Sequence, residues 1–255
     1  MIKLFTFIFS LLLFCGCSAT KEQKASSDKQ GEVIITGQIK NRDFYPHVNE
    51  IVLHLPFFRE GKVTYTTDIT EDNNFYFSFM LHAEMCEVAI KPYIEHLYVQ
   101  PGDSIHLEID FKDMLHPVIN GNGAKFNEQI NQFIEGGYYI QDYRVYPDFK
   151  TNEEMEQLME KEHQERIYRY EEYVQKHQPS EVVKKYIGEL LKADYYTAWF
   201  DNLLHARNYR IEGVDIHRYT DKLTEATSLL ENQVITDAHF RMSQEMYSYL
   251  HAINE

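Results

Sequence analysis

VTYTTDITEDNNFYFSFM, running from Val63 to Met80, decides the fold class of the first half of this chain. Apolar and aromatic residues fall on every second position, most clearly at Phe75, Phe77 and Phe79. That period belongs to strands with one buried face. Asp72-Asn73-Asn74 interrupts the alternation with turn formers and reads as a hairpin loop. Working outward, the same period predicts strands over Glu32 to Lys40, Glu50 to Phe57, Glu87 to Lys91, Glu95 to Val99, Ser104 to Asp110 and Val118 to Ile119. With Val63 to Ile69 and Phe75 to Met80 this makes eight strands in roughly 90 residues, the density of a β-sandwich. Arg59-Glu60-Gly61-Lys62 reads as a second hairpin loop, and Pro101-Gly102-Asp103 as a tight turn.

From Ala124 the period becomes helical. A first helix is expected over Asn127 to Ile140, with Gly136-Gly137 better suited to a helix end than to a phosphate cradle. Thr151, with Glu154 three residues on, has the form of a capping box for a second helix reaching about His177. Pro179-Ser180 breaks and restarts the chain. Val183, Ile187, Leu190, Ala198 and Trp199 then stripe a third helix, and Arg207 to Gly213 forms a loop or a kink. Shorter helices carry Tyr219, Leu223, Ala226 and Leu230, then Met242, Met246, Tyr249 and Ile253. The expected class is α+β: an N-terminal antiparallel β-sandwich over 32–122 followed by a C-terminal all-helical region over 123–255.

The first 31 residues belong to neither half. Met1 to Lys3 is a short positive segment, Leu4 to Phe14 an apolar run of secretory length, and Gly16 a small residue before a cleavage point. The run is shorter than the about 20 residues of a membrane-spanning helix. Phe14-Cys15-Gly16-Cys17 resembles a bacterial lipobox, with Phe14 where Leu is preferred. Cys15 is rejected as the modified residue because it would put Phe14 at the position that must be small. Residues 1–16 are therefore expected to be a lipoprotein signal peptide, Cys17 the lipidated residue, and 17–31 a polar, flexible tether to a membrane. An ordinary secretory signal cut at Ala19 is the alternative.

The whole chain carries 25 Lys plus Arg against 40 Asp plus Glu, a net charge of −15. Lys3 is the only charged residue of 1–16, so the mature part stands at −16. Nucleic acid and anionic lipid surfaces are poor partners for that field. Beyond Cys15 and Cys17 the third cysteine is Cys86, so the folded part has no internal disulfide to form. Without a Cys-x-x-Cys pair it is not expected to exchange disulfides unaided. Cys86 reads as a buried small hydrophobe, with a redox-sensing or mixed-disulfide thiol as the other possibility.

Several short motifs carry a resemblance. Thr36-Gly37-Gln38-Ile39, Ile69 to Phe77, Tyr98-Val99-Gln100-Pro101-Gly102-Asp103-Ser104-Ile105 and Asn120-Gly121-Asn122-Gly123-Ala124 resemble the N-terminal module of bacterial TlpA-like thiol-disulfide oxidoreductases. The likeness covers about residues 1–135 in motif and the rest in layout. It implies a lipid anchor, a cell-envelope location, a β-sandwich and a helical region; Ser18-Ala19-Thr20, without the acidic run associated with surface export, favours the side facing the periplasm. In that family a thioredoxin domain with Trp-Cys-x-x-Cys follows; Trp199 here has no cysteine nearby, so no catalytic residue transfers. Two explanations are open: a stand-alone or truncated form of such a protein, or a redox domain encoded separately, for which the resemblance implies a thioredoxin-like protein as partner.

Other motifs for chemistry are incomplete. His82-Ala83-Glu84 with Cys86 lacks the Pro-Cys-x-x-Cys of the zinc deaminases, and His163 has no second histidine four residues away; it reads as a solvated helix face. No nucleophile elbow or Walker loop occurs. No catalytic, cofactor-binding or metal-binding residue is assigned, and the chain is not expected to be an enzyme. Its 19 Tyr and 16 Phe keep glycan or peptide binding in view, through Phe57-Phe58, Tyr65, Tyr76, Tyr138-Tyr139, Tyr143 and Tyr146. The leading expectation is a lipid-anchored envelope module that acts by interaction. The alternative is an outer-membrane-associated glycan- or peptide-binding lipoprotein.

Overall fold

A computed structural model describes residues 30–57, 61–140, 149–230 and 234–254. The signal peptide expected over 1–16, the expected lipidation site Cys17 and residues 18–29 of the expected tether lie outside the described residues. Strands β1 (Gly31–Lys40), β2 (Glu50–Phe57), β3 (Gly61–Asp68), β4 (Asn74–Leu81), β5 (Met85–Lys91), β6 (Ile94–Val99), β7 (Ser104–Asp110) and β8 (Asp113–Gly121) make two sheets, ordered β4-β1-β7-β8 and β3-β2-β5-β6. Alternation assigns the faces. Phe75, Phe77, Phe79 and Leu81 of β4 are buried and the residues between them are exposed. Ile35 of β1 and Leu107 of β7 meet Leu53 of β2, Ile90 of β5 and Leu97 of β6 in one buried cluster. Two sheets sharing one core form a sandwich, and each such side chain contributes about 1.5–3 kcal/mol on full burial.

The connections depart from the hairpin expectation. Asp72-Asn73-Asn74 carries the chain from β3 in one sheet to β4 in the other, and Pro101-Gly102 likewise joins β6 to β7 across the sandwich. The second is a tight turn as expected, closed by the Asp103 N–H donating to the Gln100 carbonyl at 3.1 Å. Alternation reports which face of a strand is buried and is silent about its neighbour, so a crossover looks like a hairpin. β2 and β3 do pair antiparallel, from Glu50 opposite Asp68 to Phe57 opposite Gly61; 58–60 lie outside the described residues. β1 and β7 run parallel, from Ile34 opposite Ser104 to Lys40 opposite Asp110, so that sheet is mixed and not wholly antiparallel.

The second half comprises α1 (Ala124–Glu135), α2 (Asn152–His177), α3 (Glu181–Asn208), α4 (Thr220–Leu230) and α5 (Asp237–Asn254). The α+β class and the order of its parts are as expected. α1 stops at Glu135, short of Ile140, with Gly136 as its C-cap. At the start of α2 the Thr151 hydroxyl accepts from the Glu154 N–H at 3.2 Å. The Glu154 carboxylate turns back to the Lys150 N–H at 2.6 Å, one residue earlier than a capping box requires. The Ser180 hydroxyl caps α3 in the same way, accepting from the Val183 N–H at 3.4 Å. α3 is buried on several sides, from Val183 through Tyr186, Leu190 and Phe200 to Ala206, and forms the axis of the helical core.

One strand falls inside the region expected to be all helix. β9 (Val234–Ile235) pairs in parallel with β5, Met85 opposite Val234 and Cys86 opposite Ile235. Two residues are too few to show a period. Met85 and Tyr98 of the sandwich belong to the helical core, so the two halves share side chains at their joint.

Candidate functional site

One buried amide bonds the backbone of the sandwich at this joint. β6 lies at the edge of its sheet, where a strand exposes unpaired backbone groups. Asn127, on the first turns of α1, supplies partners for them. The Tyr98 N–H donates to Asn127 Oδ1 at 2.8 Å, and Asn127 Nδ2 donates to the Tyr98 carbonyl at 2.8 Å and to the Gly123 carbonyl at 3.0 Å. The side chain is wholly buried. It imitates a neighbouring strand for one residue and so fixes α1 on the sandwich.

Above this joint a cleft of about 510 Å³, solvent at its mouth included, opens between β5, β6, α1, α3 and α5. Glu87, His96, Tyr98, Tyr139 and Tyr186 give it polar atoms; Ile134, Leu190 and Ala238 give it an apolar wall, and Arg241 completes the lining. Glu87 is almost fully buried and bonds His96 Nδ1 at 2.5 Å. Behind the lining, Asp194 Oδ2 accepts from the Tyr139 hydroxyl at 2.5 Å, while its Oδ1 lies 3.3 Å from Arg241 Nη2. Burial raises the Asp194 carboxyl to about 6 despite both partners. Burial, then the charge of Glu87, pushes the Tyr98 hydroxyl well up, and burial, followed by Tyr98 and Glu87, does the same for Tyr186.

His239, on α5 near the cleft, is buried with Nδ1 2.7 Å from the Thr236 hydroxyl. Burial lowers it to about 4, partly opposed by Glu189. Its folded value lies below the ordinary 6.5, so the neutral ring contributes stability above pH 6.5 that is lost as the pH falls toward 4. Asp194 has the opposite sign: its folded value of about 6 lies above 3.8, so stability is gained as the pH falls through that window. At about 1.4 kcal/mol per unit each effect is of order 3 kcal/mol, and they largely cancel. Asp194→Asn is therefore expected to steepen acid destabilisation between pH 7 and 4.5, and His239→Leu to flatten or reverse it. Urea unfolding at stepped pH measures this; parallel curves for parent and both variants contradict it.

The residues singled out in the sequence scatter. His82 is exposed between β4 and β5, while Glu84 pairs with Lys185 of α3 at 2.5 Å. His163 is not on a solvated face: it is half-buried, its ring 4.3 Å from that of Tyr195, and burial lowers its pKa. Cys86 is buried in the sandwich core, where burial and then Glu87 push its thiol far up, which suits packing and not redox sensing. Trp199 packs 4.9 Å from the Tyr219 ring in the helical core. Tyr76 is exposed and Tyr65 partly so, Tyr138 and Tyr139 are half-buried, and Tyr143, Tyr146 and Phe58 lie outside the described residues.

The cleft residues Glu87, His96, Tyr186 and Arg241, and Asp194 behind them, come from four elements at long separations and are not among the residues that the sequence singles out. The one available signal was polar residues on apolar stripes, as at Asp194 between Leu190 and Ala198. Among the described residues no three His, Cys, Asp or Glu converge as a metal site, and no described helix is long and apolar enough to cross a membrane. No protein-family model matches the chain, and no curated protein matches it in sequence.

Proposed function

We propose that this chain is a lipid-anchored cell-envelope module that acts by binding and not by turnover. The observation that carries the binding reading is the cleft, whose ionisable groups hold one another: Glu87 with His96, and Asp194 with Tyr139 and Arg241. Groups locked in this way give a fixed recognition surface. The leader from Lys3 to Cys17 supports the anchor, and the tether after it supports a body standing off the membrane. The TlpA-like motifs favour a thioredoxin-like protein as the partner. With Cys86 buried, thiol exchange would fall to that partner.

Labelling with radioactive palmitate tests the anchor. The parent is expected to incorporate label and to sediment with membranes; Cys17→Ala is expected to lose both. Label retained by the variant, or never taken up by the parent, removes the anchor from the proposal. A pull-down of the anchored protein from envelope extracts tests the partner class.

Glycan or peptide binding has one specific observation behind it. Tyr76 is 53% exposed on the outer face of β4, opposite Thr36, whose hydroxyl lies 2.9 Å from His106 Nδ1. A ring beside hydroxyl and imidazole groups suits the face of a sugar. Recovery of glycan-uptake components alone in the pull-down would favour this reading.

A further inference from the structure

Among the described residues, β3, β4, β6 and β8 stand at the edges of the two sheets. An edge offers unpaired N–H and C=O groups to any extended chain, and folds commonly blunt it. β6 is covered by the Asn127 amide. β8 carries Pro117 and a break in its register against β7, both of which disfavour a further strand. β4 is finished on its core side, where Phe75, Phe77, Phe79 and Leu81 are at most 5% exposed. β3 has none of these protections. It contains no proline, its register with β2 is unbroken from Gly61 to Asp68, and its backbone pairing among the described residues is with β2 alone.

The core-facing row of β3 is also incompletely covered. Val63, Tyr65 and Thr67 stand opposite Leu55, Leu53 and Ile51 of β2, which are buried. Tyr65 is nevertheless 37% exposed, although its ring stacks on that of Phe79 at 5.7 Å. Val63 and Thr67 are half-buried. A buried row thus continues into β3 and stops one strand short of full cover.

We propose that β3 pairs antiparallel with β3 of a second copy of this chain, across a two-fold axis at Tyr65. Such a contact is isologous. It sets Tyr65 opposite Tyr65, Thr64 opposite Thr66, Val63 opposite Thr67 and Lys62 opposite Asp68. Lys62 and Asp68 are the charged residues of β3, and this register alone brings them face to face; a slip of two residues either way leaves both unmatched. By symmetry the pair occurs twice. Opposite charges across a strand pair stabilise it and like charges oppose it. Threonine and tyrosine suit the surface of a sheet, and the two Tyr65 rings cover part of what each leaves exposed. An unrelated extended peptide gains the backbone bonds alone. The inference goes beyond the binding reading and rests on neither the cleft nor the anchor.

Sedimentation equilibrium on the full chain, in detergent matched to the solvent density, tests it with K62D, D68K and the double reversal K62D/D68K. The parent is expected to dimerise reversibly. Each single reversal sets like charges opposite one another twice per dimer and is expected to weaken dimerisation about tenfold. The double reversal restores the attraction and is expected to return to within about threefold of the parent. Two chains that merely share a micelle do not follow this cycle. Hydrogen exchange on the parent gives a second measurement that needs no variant: β3 amides pointing away from β2 are expected to slow as protein concentration rises through the dimer range. A parent that stays monomeric, a dimer indifferent to the reversals, or β3 amides that exchange alike at low and high concentration overturns the proposal.

Discussion

Asn127→Ala is expected to lower the free energy of unfolding by about 3–4 kcal/mol, a large share of the 5–15 kcal/mol typical of a folded protein. The substitution removes three hydrogen bonds and leaves the buried N–H and carbonyl of Tyr98 without partners. Water cannot replace them, because Asn127 is fully buried and Tyr98 is 1% exposed. Asn127→Asp is expected to cost about as much, since a carboxylate keeps the acceptor for the Tyr98 N–H but faces the Tyr98 and Gly123 carbonyls with no donor. Urea denaturation measures the loss, and hydrogen exchange at the Tyr98 amide localises it. A loss below about 1 kcal/mol would show that β6 and α1 are joined by packing and not by this amide.

Gly121→Ala is the second substitution with a large expected effect, about 3–5 kcal/mol, from backbone strain and overpacking together. Gly121 ends β8 at a φ of 100°, and a Cβ there would lie 2.1 Å from the Ser104 carbonyl oxygen. That carbonyl is backbone in a paired strand, opposite the residue that follows Gly121, and accepts from the Asn122 N–H at 3.3 Å. It has no room to retreat. Gly137→Ala separates the two causes, since Gly137 also has a positive φ, 80°, but nothing within 4 Å of the added carbon. Its cost should stay near 1 kcal/mol, the strain alone. Equal losses for the two variants would show that the contact with Ser104 is easily relieved.

Asn120-Gly121-Asn122-Gly123 was visible as turn chemistry, and the structure supplies its partners. The Ser104 N–H donates to Asn122 Oδ1 at 2.7 Å, and Asn122 Nδ2 donates to the Gly102 carbonyl at 3.1 Å. The motif is thus the seam between the end of β8, the β6–β7 turn and the start of α1. Turn residues announce a bend locally, but the carbonyl they bend around is elsewhere in the chain. Asn127 reads as the start of a helix, and nothing beside it in the sequence signals that its amide serves a strand almost thirty residues earlier.

Strand and helix positions were readable because burial on one face imposes a period on consecutive residues. Phe75, Phe77 and Phe79 in β4, and Thr151 and Ser180 at helix starts, are local patterns with local causes. The leader up to Cys17 is an expectation from composition, which needs no fold. Sheet membership, the parallel pairing of β1 with β7, the two-residue β9 and the cleft were decided only by tertiary structure. Each depends on which faces meet across long sequence separations, and an amphipathic face specifies that it must be covered without specifying by what. Glu87, Tyr186, Asp194 and Arg241 acquire their electrostatics from burial and from one another, so no one of them carried that meaning along the chain.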